Sequence, residues 1–420
     1  MKPPYSVCFA HSGGVTTMLN ATAAAFLQAC CQNPDIDQVY VAQNGILGLI
    51  HNKLFAVKDW PASHWQKLAH TPSTVFGSCR KKLPNYQDDP DVYHALFSTC
   101  SEKSITHFVY QGGNDSQDTT HKINQACKQL HQPLTCIGLP KTIDNDLFGT
   151  DFSPGFPSAA KYLATSLREA SLDTFAMSTS STKVFIMEVM GRHTGWLAAA
   201  SATSHRSLPL GPHIILVPEC PFDKSLWLNR VKRCVEQHGL CVIVASEGIV
   251  DKATNQPLTQ ARTQDAFGHQ QLGGVGNILA EIVHQELGYK THVAIPDYLQ
   301  RSAAHLRSGT DFACAKLLGE TCAEHIGANT TGCMLGLVRE SSTPVRWRVE
   351  PVDLATCANH EKKLPSDFLS ADGMELTQKA YDYFIPLLQG EVYPPYQKDG
   401  LPDYLSPLSL SILSDQEQTA

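Results

Sequence analysis

Along the chain, short apolar and β-branched runs alternate with longer segments whose apolar residues return at helical spacing. Ser6–Ala10, Val39–Ala42, His107–Gln111 and Thr135–Leu139 read as buried strands. Between the last two lies a segment starting at Ser116, with Ile123, Ala126 and Leu130 on one helical face. Ala160, Leu163, Leu167 and Ala170 repeat that spacing. Val184–Val189, His213–Val217, Leu240–Ala245 and His292–Ile295 continue the strand series, with helical stretches between them. Such alternation predicts parallel sheets covered by helices on both faces, a class in which ligands gather at the carboxyl ends of strands. Ser341 to Pro365 breaks the rhythm and reads as a linker or insertion. Met374–Leu388 reads as an amphipathic helix before a proline-rich end.

Polar clusters follow several of these strands directly, which predicts that they converge on one crevice. Ser12-Gly13-Gly14 lies between a strand and a helix expected from near Thr16, where glycines and amides can admit an anion. The same turn serves packing equally well. Gly112-Gly113-Asn114-Asp115-Ser116 repeats the arrangement and suits a phosphate or a hydrated magnesium ion, or simply an N-cap. Pro140-Lys141-Thr142-Ile143-Asp144-Asn145-Asp146 sets a lysine three residues before two closely spaced carboxylates. Phosphoryl transfer needs those types, a base for the nucleophile and a cation for the moving charge, although an isolated Asp-x-Asp is more often a solvated turn. Met190-Gly191-Arg192-His193 presents a guanidinium at a strand end, and Ser246-Glu247-Gly248 a carboxylate. Tyr298-Leu299-Gln300-Arg301 adds a phenol and a second guanidinium. Each has a bland alternative in a snorkelling arginine, a helix cap or a Tyr–Arg stack.

Composition narrows the classes. With 420 residues there is room for two or three domains, or two large interleaved ones. The formal charge of −7 is spread without long runs, which excludes a nucleic-acid scaffold but allows a local anion site. Among 14 cysteines none forms a Cys-x-x-Cys pair, and no two of the 18 histidines stand three to five positions apart. Reduced thiols in a cytoplasmic protein are therefore expected, many of them as small core residues. No apolar run is long enough to span a membrane, and no signal peptide is visible.

Taken in order, the clusters resemble the phosphofructokinase family, and its pyrophosphate-dependent branch in particular. The ordered set, with Pro154-Gly155-Phe156 and Gly390-Glu391-Val392-Tyr393-Pro394-Pro395-Tyr396, spans nearly the whole chain. The resemblance implies an α/β fold of two interleaved Rossmann-like domains with parallel sheets and an active site in the cleft between them. The first would run over 1–156 and bind the donor, completed by about 300–340. The second would run over 157–299 and bind the sugar, completed by about 341–420. The implied activity is a reversible glycolytic step, transfer from pyrophosphate to the 1-hydroxyl of fructose 6-phosphate.

By the same resemblance Asp144 is the base, with Thr142, Met190, Gly191, Arg192, Glu247, Tyr298 and Arg301 holding the sugar phosphate. Gly14 and Arg80 meet pyrophosphate, and Asp146 sits near the transferring group. Asp115 and Lys141 stand where the ATP-using branch has glycines. A carboxylate at 115 would fill and repel the place of an α-phosphate, and Lys141 would offset Asp115 and reach the leaving oxygens. Magnesium is the implied cofactor, yet Asn114 stands where the family usually has an aspartate ligand. Lys183 and His292 replace arginines that, in the bacterial ATP-using enzymes, reach the sugar phosphate across a subunit interface. That implies a homodimer or homotetramer. Two rival readings remain, an ATP-dependent enzyme of the same fold and a non-catalytic sugar-phosphate-binding regulatory protein.

Overall fold

The computed structural model describes residues 4–206, 210–259, 263–264, 270–271, 273–328 and 330–407. Strands β1 (Tyr5–His11), β2 (Ile36–Ala42), β3 (Leu54–Ala56), β4 (His107–Gly112) and β5 (Thr135–Pro140) come first. They are followed by β6 (Val184–Val189), β7 (Ile214–Leu216), β8 (Cys241–Ser246) and β9 (Thr291–Ala294). Next come β10 (Cys333–Ser342) and β11 (Val345–Asp353). One seven-stranded sheet has the order β11-β10-β5-β4-β1-β2-β3, and one four-stranded sheet has the order β9-β6-β8-β7. The smaller sheet is parallel throughout. In the larger one only the outer pairs β2–β3 and β10–β11 are antiparallel.

Central strands are apolar on both faces because helices cover both. Val7, Cys8, Phe9 and Ala10 of β1 have no exposed surface. Helix α1 (Leu19–Gln32) buries Phe26 and Leu27 on one side with Val7, Phe9 and Val109. Helix α2 (Asn114–Gln129) lays Ile123 and Ala126 on the other, with Cys8, Phe108 and Cys136. The smaller sheet is clad by α3 (Phe156–Met177) on one face and by α4 (Lys224–His238) and α5 (Val275–Leu287) on the other.

The strand series agrees with the sequence pattern, with β2 beginning three residues earlier, at Ile36. Three expectations are corrected. The helix expected near Thr16 starts at Leu19, because Thr16 stays in the glycine loop and its Oγ1 accepts the Met18 N–H at 3.2 Å. Ser341–Pro365 is not a linker: most of it belongs to the antiparallel β10–β11 hairpin on the edge of the large sheet. Its alternation of Val345, Trp347 and Val349 with Arg346 and Arg348 is that of a half-buried strand, and Trp347 Nε1 donates to Asp151 Oδ2 at 2.6 Å. The returning segment of the large sheet thus extends to Asp353 rather than stopping near 340. Finally, helix α7 spans only Gln378–Leu387, after helix α6 (Gly309–Glu324). Met374 precedes α7, in a turn closed by a bridge between Leu369 and Leu376, and packs under the smaller sheet.

Asp311, in the first turn of α6, ties that helix to the start of α3. Its fully buried carboxylate accepts the Gly155 N–H at 3.0 Å, the Ser158 N–H at 3.0 Å and the Ser158 hydroxyl at 2.6 Å. Asp311→Ala leaves those donors buried and unpaired, so urea unfolding is expected to show a loss of about 3 kcal/mol. A shift below about 0.5 kcal/mol, the range of an ordinary surface change, would contradict this.

Candidate active site

The carboxyl ends of β1, β4 and β5 face those of β6 and β8 across a crevice of about 1040 Å³. From the large-sheet side it is lined by Gly14 and Arg80, by Asn114 and Asp115, and by Lys141, Thr142, Asp144 and Asp146. From the other side come Met190, Arg192, Glu247, Tyr298 and Arg301. Gly191 sits just behind this wall and offers its N–H to Glu247 Oε1 at 3.5 Å. Its φ of +144° and a virtual Cβ only 2.4 Å from Ser246 Oγ explain why glycine is needed there. Most of the residues singled out from sequence thus converge, because they follow strands whose neighbours point the same way, while Arg80 comes from the loop after the helix Ala62–His70.

The loop after β5 brings Lys141, Asp144 and Asp146 into the crevice. Asn145 takes a left-handed φ of +53°, and its side chain turns away from the crevice. Its Oδ1 accepts from Ser153 N–H and from Lys362 Nζ, each at 3.2 Å, and its Nδ2 donates to the Tyr383 hydroxyl at 3.2 Å. The flanking carboxylates Asp144 and Asp146 both line the crevice. Burial and the carboxylates of Asp146 and Glu247 push Asp144 up to about 7, against the pull of Arg192 and Lys141. Burial also raises Asp146 and Glu247. Burial and the guanidiniums of Arg301 and Arg80 bring Lys141 down to about 8, although Asp144 and Asp146 resist. Arg192 Nε is buried without a hydrogen-bond partner among the described residues, a donor available to a ligand oxygen.

One expected pairing is not found. Lys141 Nζ donates to the carbonyl of Gly14, and Asp115 is paired instead with Lys82 at 3.5 Å. The physical reason is placement: Asp115 lies in the first turn of α2, facing the loop that follows Arg80, whereas Lys141 points under the glycine loop after β1. Lys82 went unnoticed in the sequence, although the run Arg80-Lys81-Lys82 beside a glycine turn was a usable signal. Lys183 and His292 do not line the crevice. Lys183 precedes β6, about 20 Å of strand away from Met190, and its Nζ bonds the Ser178 carbonyl.

The stretch after the hairpin supplies a wall that sequence reasoning missed entirely. Asn359 donates to Asp118 Oδ1 at 2.9 Å, Glu361 meets His193 at 2.7 Å, and the Lys362 N–H donates to the Asp146 carbonyl at 2.7 Å. Asn359 and Glu361 line the crevice. Lys362 Nζ turns inward to Asn145 Oδ1 and to the carbonyls of Thr150 at 3.0 Å and Asp151 at 2.8 Å. No helix among the described residues is long and apolar enough to cross a membrane.

Known proteins resemble this chain in sequence and fold. The family model described as Phosphofructokinase matches residues 6–326. A protein of Xanthomonas campestris pv. campestris named pyrophosphate--fructose 6-phosphate 1-phosphotransferase is 46% identical, with 96% of each chain covered. The crystal structure of a pyrophosphate-dependent phosphofructokinase from Marinobacter aquaeolei superposes with a TM-score of 0.85 at 42% identity, covering 95% of both chains. One from Nitrosospira multiformis reaches 0.86 at 38% identity, again over 95% of both. A crevice lined by paired carboxylates, a buried lysine and opposed guanidiniums, in a chain matched over this much of its length, places the protein in the phosphofructokinase family.

Proposed function

We propose that this chain catalyses reversible transfer of a phosphoryl group from pyrophosphate to the 1-hydroxyl of fructose 6-phosphate, giving fructose 1,6-bisphosphate and phosphate. The observation that carries the reading is Asp144, a carboxylate held near neutrality in a crevice that also presents Lys141 and Arg192. A base of that strength can take the hydroxyl proton in one direction and return it in the other. Lys141, anchored on the Gly14 carbonyl, faces the charge that spreads over the transferring group. Thr142, Met190, Gly191, Arg192, Glu247, Tyr298 and Arg301 hold the sugar phosphate in this reading, and Gly14 and Arg80 hold pyrophosphate with Asp146 alongside. A side chain at 14 would meet Arg301 Nη1 at 3.1 Å, so glycine keeps the two halves of the site in touch. The large-sheet half binds the donor and the smaller-sheet half the sugar.

Phosphotransferases of this family generally use a divalent metal, and magnesium is part of this reading. The donors fit a hard cation, since Asn114 Oδ1 is buried with no hydrogen-bond partner among the described residues and Asp146 Oδ2 lies 3.5 Å from Asn114 Nδ2. Asn114 and Asp146 would hold the ion together with phosphate oxygens. When bound, it supplies neutralisation of the diphosphate charge. The sugar end is open, with Tyr298 60% exposed and stacked under Arg301 at 3.8 Å. A second copy would bring Lys183 and His292 to it in a homodimer or homotetramer.

The deciding experiment compares turnover of fructose 6-phosphate by the purified protein with magnesium pyrophosphate and magnesium ATP side by side. Turnover with pyrophosphate, and the reverse reaction from fructose 1,6-bisphosphate and phosphate, are expected. A preference for ATP, or binding without turnover, would favour one of the two rivals.

Lys362 acts in this reading as a positioning residue behind the Asp144 loop. Lys362→Met is expected to cut kcat roughly tenfold or more with little change in KM, as the loop loses its internal clamp. Unchanged kcat in a folded variant would remove Lys362 from this account.

A further inference from the structure

A carboxylate at 115 answers the α-phosphate of a nucleotide but not the nucleoside beyond it. A second obstacle stands one turn further along α2. Asp118 follows Asp115 by three residues on the same flank, about 4.5 Å along the axis. Asp118 is buried, and its Oδ1 accepts from Asn359 Nδ2 at 2.9 Å while its Oδ2 pairs with Lys122 Nζ at 2.7 Å. Lys122 Nζ also donates to the Leu83 carbonyl at 3.0 Å. These contacts form a continuous link from the wall after the hairpin, across the flank of α2, to the loop that carries Arg80 and Lys82.

Both ends of the link are fixed by packing. On the wall side, Leu354 and Cys357 of the short helix Leu354–Cys357 are buried against Leu147 and Met334. After Asn359 the chain is caught again, by a bridge between Leu147 and Glu361 and by the bond from Lys362 N–H to the Asp146 carbonyl. Asn359 itself takes a left-handed φ of +62°, which asparagine tolerates better than most residues. On the other side, Lys82 meets Asp115 and Leu83 meets Lys122, so that loop is tied to α2 at two points.

We infer that Asn359, joined through Asp118 and Lys122 to Leu83, is a specificity-determining residue that excludes the nucleoside of a nucleotide donor, whereas Asp115 excludes its α-phosphate. The inference rests on the reading of pyrophosphate as donor and gives that site a second barrier. A diphosphate ends at Asp115 and does not reach the link. The ribose and base of a nucleotide leave the α-phosphate along the flank of α2, between Lys82 and Asn359, which both line the crevice. There they meet polar groups already paired with one another. Passage requires Asn359 to move aside, which strips the buried Asp118 carboxylate of a donor and costs affinity for a nucleotide alone.

Inorganic tripolyphosphate separates the two barriers, because it carries a third phosphate without a nucleoside. Calorimetry reads the binding of magnesium tripolyphosphate and magnesium ATP to full-length Asp115→Gly, alone and combined with Asn359→Gly. Glycine keeps the left-handed backbone at 359. Asp115→Gly should bind tripolyphosphate roughly tenfold or more tighter than ATP. Adding Asn359→Gly should raise ATP affinity roughly tenfold and leave that for tripolyphosphate within about twofold. Lys122→Met in the same Asp115→Gly background releases the other end of the link and should shift ATP in the same direction, with circular dichroism checking that each variant is folded. Equal affinities for the two ligands in Asp115→Gly would overturn the inference. So would an Asn359→Gly change that moves both ligands alike, or no gain in ATP binding. The two failures are distinguishable, since wild-type turnover with magnesium pyrophosphate tests the donor and the ratio of these affinities tests the link.

Discussion

Asp144→Asn is expected to lose roughly a thousandfold in kcat while KM for fructose 6-phosphate changes only a few-fold. The amide keeps the shape of the carboxylate but cannot take a proton. The backbone at 144 is held independently of the side chain, since its N–H donates to Thr142 Oγ1 at 3.0 Å and its carbonyl accepts from Thr194 Oγ1 at 3.3 Å. The loop should therefore survive the change. The pH profile carries the same argument. With Asp144 as the proposed base, sugar phosphorylation would need the carboxylate, so with Asp144 at about 7 the rate should rise with pH through neutrality. Lys141 loses its proton at about 8, so the rate should fall again above that. The two limbs belong to a coupled set of groups rather than to single residues. On the same proposal the protonated form of Asp144 would be the active one in the reverse direction, which should move the optimum toward lower pH. An acid limb that persists unaltered in Asp144→Asn would assign the base to another residue.

Asp115→Gly is expected to open the site to ATP, with kcat/KM for that donor rising roughly tenfold or more, because like-charge juxtaposition costs several kcal/mol. The carboxylate occupies the first turn of α2, where helix amides would otherwise receive a phosphate. Its removal also frees Lys82, now paired with it at 3.5 Å, to meet the nucleotide. Lys141→Gly is expected to cost about a hundredfold in kcat with pyrophosphate, a loss typical of a single electrostatic contact to the transition state. Since Lys141 bonds Gly14 rather than Asp115, the two substitutions should combine additively, within about 0.5 kcal/mol in a double-mutant cycle. Steady-state kinetics with both donors on the four proteins reads this directly. Strong coupling would restore the direct Lys141–Asp115 partnership expected from sequence. An Asp115→Gly protein still blind to ATP would shift nucleotide exclusion to other residues.

The parallel α/β class, eight of the strands in the two main sheets, and one crevice uniting Gly14, Asn114, Asp144, Arg192, Glu247 and Arg301 could be read from the sequence. These were legible because buried parallel strands are locally apolar, and a polar cluster directly after such a strand has only one end of the sheet to occupy. The contacts between distant segments were not. Lys362 reaches Asn145 across 217 residues of chain, Lys82 rather than Lys141 answers Asp115, and His213, Cys234 and Cys241 meet without any metal-site spacing. The wall formed by Asn359 and Glu361 depends on the β10–β11 hairpin, which first has to find the edge of the large sheet. Which side chain balances a given charge follows from how separate elements dock, and docking is decided by the burial of whole faces. Residue spacing along the chain carries no record of it.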